Sequence, residues 1–309
     1  MRKIIIGVAA LTIVAAACSN NSDSGNSTTP TGGTTTAAPA DAKACAQGAD
    51  IPYITDGALT VGTDNPAFQP WFGGTGTYGP WKANPSGGTG NPASGQGYES
   101  AVTYALADQM GFTQDQVTWV PVNFNESFKP GPKTFDFDIN EISYNPARAS
   151  VVTFSDSYYD VSQAIVVKKD GPYADAKTFA DLNSAKLGAQ VGTTSYNYIV
   201  DNIQPAQQPQ VYDKSVDVLS AFNNGQIDGF VTDAPTAYVA VLIGEAKGGV
   251  VAGQFPQIGA QEYFGVVFTK DNPLAGCVNQ AIAAITDDGT LAALQKKWLK
   301  DVTFPEIKQ

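Results

Sequence analysis

Arg148 is the residue of this 309-residue sequence with the most specific chemistry. Arginine occurs only at Arg2 and Arg148, and lysine supplies the other cations. A planar guanidinium matches a carboxylate with two parallel hydrogen bonds, which a lysine ammonium cannot do. Asn145 and Pro146 predict a helix start just before Arg148, and the positive end of a helix dipole also favours an anion. Taken alone, these features favour an ordinary surface ion pair for Arg148 and leave a site for a small carboxylic acid as the alternative.

Two further candidate polar residues follow predicted strands. Thr194 begins the predicted helix 194–202 after a strand at 186–191, and Asp233 follows a buried run at 227–232. Open α/β sheets bind ligands at the carboxyl ends of their strands. Thr194 can offer a hydroxyl and an N–H to a carboxylate. Either residue could instead only cap its helix, which both residue types do.

The composition excludes several functions. The chain contains no histidine, so Ser-His-Asp and Cys-His catalysis and His-ligated zinc are impossible. Residues 74–79 fit G-x-G-x-x-G, but they are followed by Pro80 and not by an apolar helix, so we expect no nucleotide cofactor. We also expect no bound metal. Residues 73–97 are predicted to form a long surface loop, either a partial lid or a partner-contact surface. A net charge of -11 makes nucleic acid a poor partner.

The N-terminal residues predict export and anchoring. Residues 1–17 combine two cations with an apolar run that is too short to span a bilayer, which is typical of a signal peptide. Small residues directly before Cys18 resemble a lipidation motif, although Ala15 replaces its usual leucine. Residues 18–44 are poor in apolar bulk and predict a flexible tether. We therefore expect an extracytoplasmic protein that is lipid-anchored to the cell membrane, the alternative being an ordinary cleaved signal peptide.

Three cysteines bear on the redox state. If Cys18 carries the lipid, Cys45 and Cys277 remain as a pair in an oxidising compartment, where disulfides persist. We predict that these two are bonded; two free buried thiols are the alternative.

Short β-branched runs alternate with helical patterns along the rest of the chain. This alternation predicts an α/β fold with mainly parallel sheets. The predicted strands are 59–63, 117–122, 135–143, 164–168, 186–191, 227–232 and 265–269. The predicted helices are 98–110, one opening at 145, 194–202, 216–224, 273–286 and 290–299, with a helical turn at 178–182.

The order of these local signals resembles the bacterial extracellular solute-binding proteins of family 3. The resemblance covers about residues 59–300 and implies a two-lobe, periplasmic-binding-protein-like (type II) fold with the ligand in the cleft. Lobe 1 would comprise residues 45–160 plus 261–309 and contain both paired cysteines, and lobe 2 would comprise 161–260. The segments that carry the resemblance are LTVGTD at 59–64, FD at 135–136, SYNPAR at 143–148, FSDSYY at 154–159, QVGTT at 190–194, GQID at 225–228 and DGTL at 288–291.

The resemblance also implies roles for individual residues. Arg148 and Thr194 would bind the carboxylate of an amino acid, and Asp233 would bind its ammonium. Ser143 could contact either group. Asp64 follows the first strand and would lie at the ligand. An aromatic residue of the same segment would cover the ligand side chain, and Phe68 and Trp71 are the two candidates for it.

Glu141 departs from the pattern implied by the resemblance. It lies seven residues before Arg148, where relatives usually carry a small residue. If its carboxylate points into the cleft, it favours a ligand with an extra cation, such as a basic amino acid. If it points away, this inference fails.

These features together predict the substrate-binding component of an ABC importer for a polar amino acid, rather than an enzyme. Its partners would be a membrane permease and an ATPase, and ligand would shift the two lobes towards a closed state. Two alternatives remain: a dehydratase-like enzyme of the same fold that acts on a small carboxylic acid, and an amino-acid sensor for a signalling partner.

Overall fold

The computed structural model describes residues 41–48, 50–84, 87–300 and 303–309. The predicted signal peptide, Cys18 and most of the predicted tether lie outside these residues. Residues 42–44, which the sequence assigns to the tether, belong instead to a helix, Ala42–Ala46, with Ala42 and Ala46 buried. No helix in the described ranges has the length and apolar character needed to cross a membrane.

Helices and strands alternate along the described chain, as the sequence predicts. The helices are α1 (Ala42–Ala46), α2 (Tyr98–Gln109), α3 (Phe124–Ser127), α4 (Pro146–Ala149), α5 (Thr194–Tyr198), α6 (Ser215–Asn223), α7 (Ala234–Leu242), α8 (Leu274–Asp287) and α9 (Thr290–Trp298). The strands are β1 (Leu59–Thr63), β2 (Ala67–Phe68), β3 (Thr77–Tyr78), β4 (Trp81–Lys82), β5 (Thr89–Gly90), β6 (Val117–Pro121), β7 (Phe137–Asp138), β8 (Val152–Asp160), β9 (Gln163–Lys168), β10 (Leu187–Gln190), β11 (Gln210–Tyr212), β12 (Gly229–Asp233), β13 (Gly249–Gln254) and β14 (Tyr263–Thr269).

Two five-stranded sheets organise the chain, and each defines a lobe. The sheet of lobe one has the order β6-β1-β7-β14-β8, and that of lobe two has the order β11-β10-β12-β9-β13. In lobe one β1 pairs in parallel with β6 and β7, while β14 runs antiparallel to its neighbours. In lobe two β10 pairs in parallel with β11 and β12, while β9 runs antiparallel to its neighbours. Each sheet is therefore mixed, with two parallel and two antiparallel pairings, and four of its five strands run in the same direction.

Each sheet is covered on both faces. All five residues of β1 are buried, as expected for a parallel strand with helices on either side. Successive residues of β9 alternate between two hydrophobic clusters of lobe two, because neighbouring side chains of a strand point to opposite faces. The carboxyl ends of the parallel strands are left free to carry polar side chains.

The chain passes between the lobes from β8 to β9 and again from β13 to β14. The last described segment, residues 303–309, departs from the expected division. It lies against lobe two, where Glu306 bridges Gln254 and Ile307 is buried in the core. The predicted lobe 1 range 261–309 is therefore too long at its end, since apolar Ile307 fills a gap beside β13.

The glycine-rich stretch 73–97 is more structured than a surface loop. It contains a small hairpin of β3 and β4, and β5 pairs with β2. Trp81 is fully buried in the core of lobe one, and its Nε1 donates to the carbonyl oxygen of Asp64 at 2.8 Å. The sequence signal was misleading because glycines outnumber the few buried aromatic anchors.

Cys45 in α1 and Cys277 in α8 lie next to each other. Their Sγ atoms are 2.02 Å apart and their Cα atoms 5.3 Å apart, at disulfide-bonding distance. The contact joins the first helix of the described fold to the C-terminal helices of lobe one, across a sequence separation of 232 residues.

Candidate ligand-binding site

A cavity lies between the lobes, where the parallel strands end. Lobe one contributes Asp64, directly after β1, and Asn140, Glu141 and Ser143, after β7. Lobe two contributes residues 193–195, after β10, and Asp233, the last residue of β12. Open α/β sheets bind ligands at such strand ends. The cavity is therefore the candidate site, and six of the eight predicted ligand-binding residues line it: Asp64, Phe68, Glu141, Ser143, Thr194 and Asp233.

The cavity has two arms that share part of their walls. The polar arm contains Asp64, Lys214 and Asp233. The apolar arm is lined instead by aliphatic and aromatic side chains of lobe two, with Gln69 of lobe one and Thr236 and Glu245 of lobe two as additional polar residues. The shared wall consists of Phe68, Glu141, Gln190, Thr193, Ser195, Ser215 and Thr232.

Direct contacts join the lobes around the cavity. Ser143 Oγ of lobe one lies 3.2 Å from Thr194 Oγ1 of lobe two. Trp71 Nε1 of lobe one donates to Thr236 Oγ1 of lobe two at 2.7 Å. Because both contacts use side chains next to the cavity, the two lobes enclose it.

Arg148 does not line the cavity, although the sequence predicts that it binds the ligand directly. Its Nη1 donates to the carbonyl oxygen of Ser143 at 2.6 Å, and its Nη2 donates to that of Gly192 at 2.7 Å. Its guanidinium carbon lies 4.1 Å from the ring centre of Phe128. These carbonyl dipoles and the aromatic ring hold the cation behind Ser143 and across the lobe boundary, an arrangement that depends on residues far apart in the sequence.

The charge of Arg148 remains largely uncompensated. Arg148 is 6% exposed. The ion pair found within the described residues joins Lys129 and Glu126, so it does not involve Arg148. Burial lowers the pKa of Arg148 to about 10, and nearby Glu262 partly opposes this change. The guanidinium is therefore cationic at neutral pH and places positive potential at this corner of the cavity.

Ser143 and Thr194 form a hydroxyl corner in front of Arg148. Thr193, not Thr194, caps α5, because its Oγ1 accepts from the Tyr196 N–H at 3.1 Å. The alternative that Thr194 is only a helix cap is therefore excluded. Ser143 Oγ also donates to Glu262 Oε1 at 2.7 Å. Glu262 lies on the second crossover between the lobes.

Asp233 combines two roles that the sequence left open. Its Oδ1 accepts from the Thr236 N–H at 2.9 Å and caps α7, while the same carboxylate lines the polar arm. The side chain is 7% exposed, and burial raises its pKa to about 6, against which the hydrogen bonds from Thr236 act. The carboxylate thus lies in the cavity wall with no cation paired to it within the described residues.

Glu141 points into the cavity and lines both arms. Its φ of 52° is in the left-handed region, which glutamate rarely adopts, and its N–H donates to Glu99 Oε1 at 2.6 Å. Burial raises the pKa of Glu141 well above its usual value, and repulsion from Glu99, Asp233 and Asp64 adds to this effect. Because the carboxylate of Glu141 faces the cavity, the sequence-based expectation of a ligand with an extra cation stands.

Asp64 and Lys214 complete the charges of the polar arm. Burial raises the pKa of Asp64, and a backbone N–H and the charge of Lys214 partly oppose this rise. Lys214 is the one cationic residue among the described residues that line the two arms. The polar arm therefore holds three acidic side chains and one basic side chain, so a cationic group of a ligand can pair with the acids.

Phe68 and Trp71, the two candidates for the covering aromatic residue, lie in different places. Phe68 lines both arms. Trp71 is fully buried and packs edge to face against Tyr98, Tyr159 and Phe264 in the core of lobe one. Trp71 reaches the site only indirectly, through its hydrogen bond to Thr236.

Several residues of the site carry no clear signal in the sequence. Gln163 donates to Glu262 at 3.2 Å and accepts from Ser195 Oγ at 2.7 Å, which links lobe two to the crossover. Lys214 directly precedes α6, and Glu262 lies outside any motif. Only their convergence in space identifies them. The described residues hold no group of three or more His, Cys, Asp or Glu side chains arranged for a metal ion.

Two α/β lobes that enclose a charged cavity define the type II periplasmic-binding-protein class of fold. Residues 74–301 match the model for bacterial extracellular solute-binding proteins, family 3, and the chain belongs to that family. A curated relative, the ABC transporter arginine-binding protein 1 of Escherichia coli (strain K12), is 31% identical over 234 residues, which are 74% of this chain and 89% of the relative.

Solved structures agree with this assignment. An ancestral arginine-binding protein bound to glutamine superposes with a TM-score of 0.63 at 26% identity, covering 80% of this chain and all of the other. An ancestral amino acid-binding protein described as a precursor of cyclohexadienyl dehydratase gives a TM-score of 0.62 at 27% identity, covering 79% of this chain and 96% of the other. The relatives named here are binding proteins, and one of them is described as the ancestor of an enzyme.

Proposed function

We propose that this chain is the extracytoplasmic substrate-binding component of an ABC importer for a polar amino acid with a cationic side chain. The observation that carries the proposal is the charge pattern of the polar arm. A hydroxyl corner backed by Arg148 lies on one side, and Asp64, Glu141 and Asp233 contribute carboxylates. This pattern complements a carboxylate joined to more than one ammonium.

The ligand carboxylate would bind at the hydroxyl corner. Ser143 Oγ and Thr194 Oγ1 face each other from opposite lobes, and the charge of Arg148 lies directly behind Ser143. Because Ser143 donates its one proton to Glu262 Oε1 in this structure, the ligand carboxylate would replace Glu262 as its acceptor. A carboxylate that leaves water must regain both hydrogen bonds and charge compensation. Arg148 would thus act on the carboxylate chiefly through its field, rather than through the two-pronged contact expected from the sequence.

The α-ammonium would bind to Asp233, with Asp64 as a second acceptor. Both carboxylates are held in the charged state at a cost, as their raised pKa values indicate. An ammonium at this position would offset that cost. Glu141 would then accept a second cation from the ligand side chain, which agrees with the arginine-binding function named for the relative from Escherichia coli.

Ligand binding would favour the closed arrangement of the lobes. Ser143 belongs to lobe one and Thr194 to lobe two, so a carboxylate between them contacts both only when the lobes are together. The closed protein would then dock on a membrane permease whose ATPase drives import. The proposed lipid anchor at Cys18 would keep it near that permease. A receptor for a signalling partner would use the same binding chemistry.

A dehydratase-like enzyme is the second candidate. It is favoured by one observation, the likeness to a protein described as a precursor of cyclohexadienyl dehydratase. The clustered carboxylates of the polar arm could exchange protons with a bound acid. Recovery of unchanged ligand after prolonged incubation with the protein supports the receptor, and release of a dehydrated product supports the enzyme.

A thermal-shift screen of residues 41–309 against the proteinogenic amino acids and ornithine tests the receptor. Ligand at a hundred times its dissociation constant adds about 2.7 kcal/mol to the free energy of unfolding, which is several degrees at this size. We expect the largest shifts with lysine, arginine or ornithine. A cooperative melt that no amino acid shifts would refute the proposal, and shifts confined to acidic amino acids would refute the cationic preference.

A further inference from the structure

The apolar arm of the cavity extends away from the α-carboxylate corner into lobe two. Its walls come from α6, β12 and α7, through Val218, Leu219, Phe230 and Ala240. These residues do not line the polar arm. The two arms meet at Phe68 and Glu141, so a ligand held in the polar arm can extend a chain into the apolar arm.

Carboxylates supply the charge of this arm. Glu141 lies where the arms meet, and Glu245 lines the apolar arm but not the polar arm. The side chain of Glu245 forms no hydrogen bond or ion pair with the parts of the chain that the structure describes. Burial raises its pKa. A carboxylate in the wall of an apolar arm, with no cation paired to it among the described residues, matches a ligand cation.

The glycine-rich stretch of lobe one closes the arm at Glu245. Gly88 is buried there with φ of 89°, and a Cβ added to it would overlap the Glu245 carboxylate. Its neighbour Gly87 lies against Ile243, in the same turn of lobe two as Glu245. The absence of a side chain at Gly88 therefore leaves the room in which the Glu245 carboxylate lies.

We infer that the apolar arm is a second subsite, in which Glu245 binds the distal cation of a ligand whose methylene chain lies against Val218, Leu219 and Phe230. The inference rests on the proposed function, which places the α-amino acid in the polar arm. It adds a selection for chain length, because a short chain leaves its distal cation at Glu141, where the arms meet, and only a longer chain carries it on to Glu245. The ligand class is a long α,ω-diamino acid or a guanidino analogue of it.

A series of ligands of increasing length tests this subsite by calorimetric titration. The series is 2,4-diaminobutyrate, ornithine, lysine and 2,7-diaminoheptanoate, with norleucine as the lysine-length ligand without a distal cation. We expect affinity to rise along the series, by about fourfold per buried methylene. In Glu245→Gln, the loss of affinity should grow with length to tenfold or more, while norleucine binding changes less than twofold. The exposed Glu306→Gln is the matched control and should bind every ligand as the wild type does.

Gly88→Ala provides a second, independent variant. It should weaken binding of the longest ligand at least fivefold and that of 2,4-diaminobutyrate less than twofold. Gly76→Ala is its control, because Gly76 has nearly the same φ, 88°, and nothing within 4 Å of an added Cβ. A flat series in the wild type, or losses in Glu245→Gln that do not depend on chain length, would overturn the inference and leave the amino-acid receptor intact.

The two proposals fail in different ways. If no amino acid binds the wild type, the proposed function is refuted. Titration with 1,5-diaminopentane and 1,6-diaminohexane, which lack the carboxylate, then tests Glu245 alone. Binding of these diamines that Glu245→Gln weakens at least tenfold would support the subsite, and binding equal in both proteins, or absent from both, would overturn it.

Discussion

Replacing Asp233 with asparagine isolates the charge of the proposed ammonium site. The Asp233 Oδ1 caps α7 by accepting from the Thr236 N–H, and asparagine caps helices as well as aspartate does. The two side chains have nearly the same shape, so the lining of the polar arm is preserved. Asp233→Asn thus removes a negative charge while it keeps the helix cap.

The size of the effect follows from the burial of the carboxylate. Burial moves the pKa of Asp233 from 3.8 to about 6, which corresponds to roughly 3 kcal/mol of disfavoured negative charge. A ligand ammonium offsets this cost, and loss of one partner from a buried charge pair generally costs about 2–5 kcal/mol. We therefore expect Asp233→Asn to raise the dissociation constant at pH 7.5 by about a hundredfold or more. The ligand-free variant should melt no lower than the wild type, because it no longer buries a negative charge at position 233.

Calorimetric titration at several pH values completes the test. The wild-type site must be ionised to bind an ammonium, so its affinity should fall as the pH drops through about 6. That dependence should be weaker in Asp233→Asn. The polar arm also contains Asp64, Glu141 and Lys214, which are unchanged in the variant. Affinity within threefold of the wild type at pH 7.5 would refute the ammonium role, and a much lower melting temperature would show that the cap argument is wrong.

Three further predictions concern the cation, the buried acids and the cysteines. Arg148→Lys loses the parallel donation to two carbonyls but keeps the positive charge. Because the charge is kept, it should lower affinity less than Arg148→Ala does. Equal affinities in both variants would refute a role for the charge. Burial raises the pKa of Glu99 and of Asp138 to about 8 each, so the folded state holds protons that the unfolded state has lost. The free energy of unfolding without ligand should therefore fall as pH rises from about 4 through 8, less steeply in Asp138→Asn, and a melting temperature constant over this range would contradict the assignment. Finally, thiol titration of unfolded residues 41–309 should detect two thiols only after reduction, and reduction should destabilise the fold by about 2–5 kcal/mol without abolishing ligand binding; equal thiol counts before and after reduction would exclude the bond between Cys45 and Cys277.

The sequence predicts those elements whose local pattern agrees with their environment. The predicted run at 59–63 is buried throughout and forms β1, and the run at 186–191 has a buried centre, residues 187–189, and forms β10. Helix α7 (Ala234–Leu242) has no amphipathic pattern, because it is apolar on nearly all sides and packs between β9 and β13. Strand β13 (Gly249–Gln254) contains two glycines and is specified mainly by its pairing with β9. Such elements depend on tertiary contacts that a local pattern does not contain.

The site was predictable where strand ends decide position. Asp64, Thr194 and Asp233 lie in the cavity because each follows a parallel strand, which the sequence reveals. The direction of the Arg148 side chain was not predictable, since it depends on Gly192 in the other lobe and on the ring of Phe128. The direction of a side chain that spans two lobes is set by contacts that form only in the folded chain.

Because the C-terminal segment returns to lobe two, the two ends of the described chain lie on different lobes. Asp41 caps α1 in lobe one, while Gln309 follows the buried Ile307 of lobe two, and both Asp41 and Gln309 are exposed. A donor and an acceptor dye at these two positions would therefore sit on bodies that move relative to each other when the cleft opens. Energy transfer between them would follow each opening and closing event on single molecules, without any substitution in the cavity.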